Sequence, residues 1–225
     1  MNKKRAAEAA MKFVRSGMVL GLGTGSTANC FMQALADALS SGQLRDIRGI
    51  PTSRQSEQHA RDLGIPLTTL SEYPHPDLTV DGTDEIDPGM DLIKGMGGAL
   101  LREKILAQNS KLVIIIADAC KKVDVLGTRS PLPVEVVEFG HGVHVEAFRA
   151  LGATPTLRLG KGGRPFITDN GNYIYDLKFD VIRNPRQIEE VLLHRAGVVD
   201  CGLFLGIAHI ALIADDKGVE ERTRK

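Results

Sequence analysis

From residue 112 to 116 the chain reads Leu-Val-Ile-Ile-Ile, an apolar and mostly β-branched run with no polar break. A strand that faces water on one side alternates apolar with polar residues. An unbroken run belongs to a strand covered on both faces. Met18–Leu22 has the same character, as does His209-Ile210-Ala211-Leu212-Ile213-Ala214. Between such runs, segments with helical periodicity recur. This alternation predicts an α/β fold, a Rossmann-like open, parallel-rich sheet with helices on both faces.

The periodicity gives a helix over 2–15, a strand over 18–22, a helix over 26–40, a strand near 47–50 and a helix over 53–63. Strands follow at 66–70, 77–81 and 91–94, then a helix at 98–109 and a strand at 111–117. After Gly127 and Pro131-Leu132-Pro133 the order changes. Strand 133–138, helix 143–151, strands 156–160 and 172–180, helix 185–195 and strand 197–204 form a βαββαβ series, the ferredoxin-like arrangement. The strand at 209–214 returns to the first sheet. The expected organisation is a discontinuous Rossmann-like domain, 1–129 with 205–225, carrying an inserted α+β domain at 130–204.

Composition narrows the function. With 28 basic and 28 acidic residues the formal net charge is zero, so no global field draws nucleic acid or an anionic membrane. An anionic ligand must be held by a local device. Cys30, Cys120 and Cys201 are odd in number and far apart, with no C-x-x-C. They read as buried free thiols rather than a disulfide framework or zinc site. Glu8, Lys12 and Arg15 interrupt any apolar core of a signal peptide, and the expected location is the cytoplasm.

Three segments carry chemistry. Gly21-Leu22-Gly23-Thr24-Gly25-Ser26-Thr27 joins a strand to a helix. Helix N-terminal N–H groups and dipole favour an anion there, the glycines permit close approach, and Thr24, Ser26 and Thr27 add hydroxyls. It is neither the dinucleotide fingerprint nor a Walker A loop, because Ser26 replaces the last glycine and no Gly-Lys-Ser/Thr follows. A tight structural turn is the alternative. Asp81-Gly82-Thr83-Asp84-Glu85-Ile86-Asp87 ends a strand, where open α/β sheets place ligands. Neighbouring carboxylates can divide acid and base roles, and a solvated acidic turn is the other reading. Asp clusters also suit hard cations, although Lys94 competes as an internal cation.

Lys94 precedes Gly95-Met96-Gly97-Gly98, a stretch able to form a backbone nest for an oxyanion. On the following helix Glu103 has Ala99, Leu100, Leu106 and Ala107 at three and four positions. None can form an exposed ion pair with it, unlike Glu190 between Arg186 and His194. A carboxylate among apolar residues is either poorly placed on a surface or desolvated, and desolvation raises its proton affinity toward that of a general base. His141 and His144, lacking an evident third ligand, read as a solvated pair, and Lys121 and Lys122 as surface residues.

In order and spacing, GLGTGSTA, DGTDEID, KGMGGALLREK, ADACKKVDVLG, PLPVEV, TDNGN and GLFLGIAHIALI resemble ribose-5-phosphate isomerase type A over nearly the whole chain. The resemblance implies interconversion of ribose 5-phosphate and ribulose 5-phosphate in the non-oxidative pentose phosphate pathway. It implies neither metal nor organic cofactor, and a homodimer or a dimer-of-dimers tetramer. It makes Glu103 the general base acting between C1 and C2 through an enediolate. Thr24, Gly25, Ser26 and Thr27 become the substrate-binding loop. Asp81, Gly82, Thr83 and Asp84 hold sugar hydroxyls and assist ring opening. Lys94, Gly95, Met96 and Gly97 form the oxyanion-side loop, and Lys121 a further substrate contact. Met96, Thr83 and Cys120 depart from the Gly, Ala and Ser usual in the family. Two other readings use related folds. A sugar-phosphate sensor domain would normally carry an N-terminal DNA-binding helix-turn-helix, and an acyl-CoA transferase would use Glu103 as nucleophile and exchange CoA.

Overall fold

In the computed structural model, which describes residues 1–224, helix α1 (Asn2–Ala10) leads through a 3-10 turn to strand β1 (Val19–Leu22). Helix α2 (Ser26–Ser40), β2 (Arg48–Pro51), α3 (Arg54–Asp62) and β3 (Leu78–Asp81) follow. Then come β4 (Glu85–Ile86), β5 (Leu92–Ile93), α4 (Leu100–Asn109) and β6 (Val113–Asp118). The next series is β7 (Leu132–Val136), α5 (Val145–Ala150), β8 (Thr154–Leu157), β9 (Tyr173–Lys178), α6 (Pro185–Leu193) and β10 (Val198–Cys201). Strands β11 (Leu203–Phe204), β12 (Ile210–Ala214) and β13 (Val219–Thr223) close the order. The chain divides into two compact units: Met1–Thr83, Arg102–Lys121 and Gly206 onward form the first, Asp84–Leu101 and Lys122–Leu205 the second.

Among its described residues the first unit holds a six-stranded sheet in the order β13-β12-β6-β3-β1-β2. Every pairing is parallel except that of the edge strand β13 with β12. Alternation along β1 assigns its two faces. Leu20 and Leu22 join Ala6 and Ala10 of α1 and Phe31 and Leu35 of α2 in the larger core. Val19 meets Ile50 of β2 and Leu106 of α4 on the other side. Gly21 lies on that second face because a Cβ there would fall 1.9 Å from Thr79 Oγ1. Helices therefore cover both faces, as the apolar runs require.

Two sequence expectations fail in this unit. Periodicity predicts a strand over 66–70, yet only the Gly49–Leu67 bridge forms. The Thr69 N–H and the Thr68 hydroxyl turn to the Glu72 carboxylate instead of a ladder. Conversely β13, with Glu220, Glu221 and Arg222, lacks any apolar signal. It is an edge strand, where charges are tolerated and discourage further pairing.

The second unit carries a four-stranded antiparallel sheet in the order β10-β7-β9-β8, backed by α5 and α6, which is the ferredoxin-like order. Leu132, Val134, Phe148, Leu177 and Leu192 form its core. The predicted strand over 197–204 is two strands. Gly202 donates to the Pro133 carbonyl at 2.7 Å, and a Cβ there would meet the Lys94 carbonyl oxygen at 2.2 Å. The chain therefore breaks at Gly202, and β11 pairs with β5 in a separate three-stranded sheet with β4.

His144 departs from the expected solvated pair, being 2% exposed and stacked on Phe148. Arg195 Nε donates to His144 Nδ1 at 2.9 Å, so that nitrogen carries no proton in the folded state. His141 also has a partner, the Tyr175 hydroxyl at 2.9 Å. Burial, with Arg195 and His141 adding charge, holds the His144 imidazole below its ordinary value of 6.5. With the folded value depressed, the unfolded chain binds the proton first. Stability is then full above that ordinary value and falls as pH drops below it. Thermal midpoints measured from pH 7.5 down to 5 should decline, and His144→Asn should flatten the decline. An equal slope in the variant would assign the pH dependence to other groups.

Candidate active site

Carboxyl ends of β1 and β3 place the first group of functional side chains in the first unit. Gly25, at φ 107°, stands at the N-cap of α2, and no side chain caps this helix. The Thr24 N–H donates to Asp81 Oδ1 at 3.1 Å, and the Gly82 N–H donates to the same oxygen at 2.7 Å. Gly23 lets Asp81 in, since a Cβ on Gly23 would lie 2.2 Å from that oxygen. Gly82 in turn lies against Thr27. The hydroxyl-rich turn and the first aspartate are thus one construction. Asp81 is 3% exposed.

The hydroxyls have different partners. Thr24 Oγ1 contacts Thr52 Oγ1 at 2.7 Å and Ser53 Oγ at 2.8 Å, which fixes the turn to the end of β2. Ser26 is exposed and accepts from Lys3 Nζ at 2.9 Å. Sequence reasoning missed Lys3, because a lysine on an N-terminal amphipathic helix carries no motif. Lys3 also stands near Asp118, whose carboxyl is held below its ordinary value chiefly by the Cys120 N–H at 2.9 Å, with Asn2 and Lys3 adding. This bond shapes the 3-10 turn Ala119–Lys121, on which Lys121 is half-buried and Cys120 exposed. Cys120 and the half-buried Cys30 therefore depart from the expected buried thiols, which only Cys201 matches.

Glu103 lies on the first turns of α4 and is 4% exposed. Leu106 and Ala107 beside it are buried as well. The burial inferred from its apolar neighbours is what the helix shows. A cleft in the first unit is lined by Ser53, Arg61, Arg102 and Leu106 but by none of the predicted site residues. Hydroxyls and buried carboxylates mark the candidate site.

The second unit holds Asp84, Lys94, Gly95, Met96 and Gly97. Asp84 Oδ2 accepts from the Met96 N–H at 3.0 Å. Lys94 is 3% exposed, with Nζ 5.4 Å from the centre of the Phe204 ring. A lysine at a strand end is usually solvated, and this one is enclosed. Gly95 and Gly98 take positive φ, at 106° and 78°. The rest of the acidic segment proves structural. Both Glu85 oxygens receive backbone N–H groups, Gly127 at 2.6 Å on one and Arg129 at 2.7 Å on the other. Asp87 accepts from the Asp91 N–H at 2.9 Å and closes its own turn.

A parallel sheet with an uncapped, hydroxyl-rich helix start and buried carboxylates past its strand ends is the build of an α/β protein that handles small anionic molecules. Comparison narrows the class. The family model described as Ribose 5-phosphate isomerase A (phosphoriboisomerase A) matches residues 48–218. Ribose-5-phosphate isomerase A of Roseiflexus castenholzii is 50% identical over 97% of this chain and 94% of its own. Among solved structures, ribose 5-phosphate isomerase from Plasmodium falciparum superposes with a TM-score of 0.95 at 42% identity, covering 99% of this chain and 98% of that one. A D-ribose-5-phosphate isomerase in complex with phospho-erythronic acid reaches 0.96 at 40% identity, covering 99% and 97%. The chain belongs to the ribose 5-phosphate isomerase A family. Among the described residues no helix is long and apolar enough to cross a membrane.

Proposed function

We propose that this protein interconverts D-ribose 5-phosphate and D-ribulose 5-phosphate through an enediolate, with Glu103 as the general base. A sugar α-proton is weakly acidic, so the reaction needs a positioned base and stabilisation of the oxyanion. In the forward direction the Glu103 carboxylate takes the proton from C2, and a C1–C2 double bond forms as the C1 carbonyl oxygen gains charge. The carboxyl then returns the proton to C1 while the C2 carbonyl forms, and the hydroxyl proton leaving O2 is matched by one gained at O1, so the net change is a shift of two hydrogens within the sugar. Lys94 and the Gly97 N–H stabilise the enediolate oxygens, with Gly95 and Met96 completing that loop. Asp81 and Asp84 bind sugar hydroxyls and move the proton that opens the ring. The Thr24–Thr27 turn and Lys121 contact substrate, with Gly82 and Thr83 completing the segment around the aspartates.

The burial of Glu103 supports this reading most directly, since a carboxylate removed from water gains proton affinity. The family supplies the substrate. Phospho-erythronic acid, named with one relative, is a four-carbon sugar acid phosphate. Its carboxylate presents two oxygens, as an enediolate does, beside a phosphate-bearing chain. We further propose a homodimer or a dimer-of-dimers tetramer, and a cytoplasmic location.

The test is a coupled assay with ribose 5-phosphate in the presence of a chelator, where turnover is expected. Absence of turnover with active coupling enzymes would remove the proposal. Inorganic phosphate should compete weakly, raising KM without changing kcat, because the uncapped start of α2 favours an anion. Insensitivity to phosphate at tens of millimolar would count against that turn as the anion site.

A further inference from the structure

Arg158, which follows β8, lies outside the segments assigned above. Its backbone is pinned on both sides: its N–H donates to the Ile174 carbonyl at 2.8 Å, and its carbonyl accepts from the Phe166 N–H at 2.9 Å. Its side chain is 11% exposed. Nε donates to Asp176 Oδ2 at 2.8 Å and Nη2 to Oδ1, a bidentate pair that fixes the guanidinium plane. Nη1 is then directed at two successive carbonyls, Gly95 at 2.9 Å and Met96 at 3.2 Å. The Phe166 ring lies beneath the guanidinium at 5.9 Å. The same ring occupies the place a Cβ on Gly98 would take, at 2.5 Å.

These contacts set the orientation of two peptide planes. In a trans peptide the N–H points away from the C=O. With the Gly95 carbonyl on Arg158, the Met96 N–H must face the opposite way, and there it meets Asp84 Oδ2 at 3.0 Å. With the Met96 carbonyl also on Arg158, the Gly97 N–H is turned away from the guanidinium, at a residue that is exposed. The Arg158 contacts thus leave the Met96 N–H on Asp84 and the Gly97 N–H facing away from the guanidinium. Within the loop the Gly98 N–H closes a turn on the Gly95 carbonyl at 2.9 Å, whereas the Met96 carbonyl takes its contact from Arg158 outside it. With positive φ at Gly95 and Gly98 the backbone has little stiffness beyond that turn, and Arg158 adds the outside restraint.

We propose that Arg158, locked by Asp176, is a positioning residue for the isomerase reaction, holding the Gly95–Gly97 loop so that the Met96 N–H stays on Asp84 and the Gly97 N–H is presented to the enediolate. This rests on the functional reading of that loop given above. Lysine cannot replace it, because one ammonium group cannot grip both carboxylate oxygens and two carbonyls in a fixed plane. Misplaced oxyanion donors cost transition-state stabilisation rather than substrate binding.

Steady-state kinetics of Arg158→Met, Arg158→Lys and Asp176→Asn, with amide exchange at Met96 and Gly97, test it. The expected result is a kcat lowered about ten- to a hundredfold in both Arg158 variants. KM should stay within about threefold, and exchange at those two amides should quicken. Asp176→Asn should move kcat the same way by a smaller factor, and it carries the test if Arg158→Met does not fold. His144→Asn, which removes a buried side chain in the same unit that touches none of the loop contacts named here, should keep wild-type kcat, and with its thermal midpoint measured alongside it separates a general loss of stability from loss of the loop contacts. Wild-type kcat in the folded Arg158 variants, beside a Lys94→Met variant that loses turnover, overturns the positioning role alone. Wild-type turnover in Lys94→Met overturns the reading of the loop, and the positioning role with it.

Discussion

Replacing Glu103 by Gln should leave a folded protein that has lost nearly all turnover, by a factor of about 10²–10⁴, the usual range for removal of a positioned general base. Gln has the same shape and fills the same buried volume beside Leu106 and Ala107. Its amide has no useful basicity, so the C2 proton has no acceptor. The loss should appear equally in kcat and kcat/KM with KM little changed, because the interaction removed exists only along the proton-transfer path. Exchange of the C2 proton of ribose 5-phosphate with solvent deuterium should fail in parallel. Wild-type turnover in Glu103→Gln would take this residue out of the mechanism. A loss of exchange with retained phosphate competition would locate the defect at the proton and leave binding intact.

The largest stability effect is expected from Glu85, a neighbour of the site with a different duty. It is fully buried, and its two oxygens receive the N–H groups of Gly127 and Arg129. Those groups belong to the turn leading into β7, the first strand of the four-stranded sheet. Glu85→Ala leaves them without their acceptor and opens a void, at a cost of about 2–4 kcal/mol. In a chain of this size that corresponds to roughly 5–15 °C in the thermal midpoint. Glu85→Gln should be milder, because an amide oxygen can still accept on one side. A midpoint within about 1 °C of wild type for Glu85→Ala would mean that water replaces the carboxylate without loss.

The contrast between Glu85 and Glu103 shows which inferences the amino-acid order supports. Glu103 was legible because helical spacing puts Ala99, Leu100, Leu106 and Ala107 around it, and local periodicity is carried by the chain itself. Glu85 sits within a run of acidic residues that invites one shared interpretation. Its partners are 42 and 44 residues away, and no spacing rule connects them. Lys3 was hidden for the same reason, reaching Ser26 from 23 positions upstream. The histidines mislead in the opposite direction. His-Gly-Val-His looks solvated until Phe148 and Arg195 close over His144.

What the order of residues decided unaided is the class of sheet and the place of the turn beyond β1. Short, β-branched, continuous apolar runs suit strands covered on both faces, and glycines with hydroxyl residues at a strand-to-helix junction leave backbone donors for an anion. Tertiary structure alone decided which carboxylate does what. Asp81 closes onto the Thr24 turn, Asp84 takes the Met96 N–H, and Glu85 becomes internal scaffolding. It also decided where strands end, as at Gly202, and that Arg158 orients a loop more than sixty residues before it in the chain. Periodicity reports which face of an element is buried. Hydrogen-bond partners and steric exclusions between distant segments arise only once the chain has folded and brought them within about 3 Å of one another.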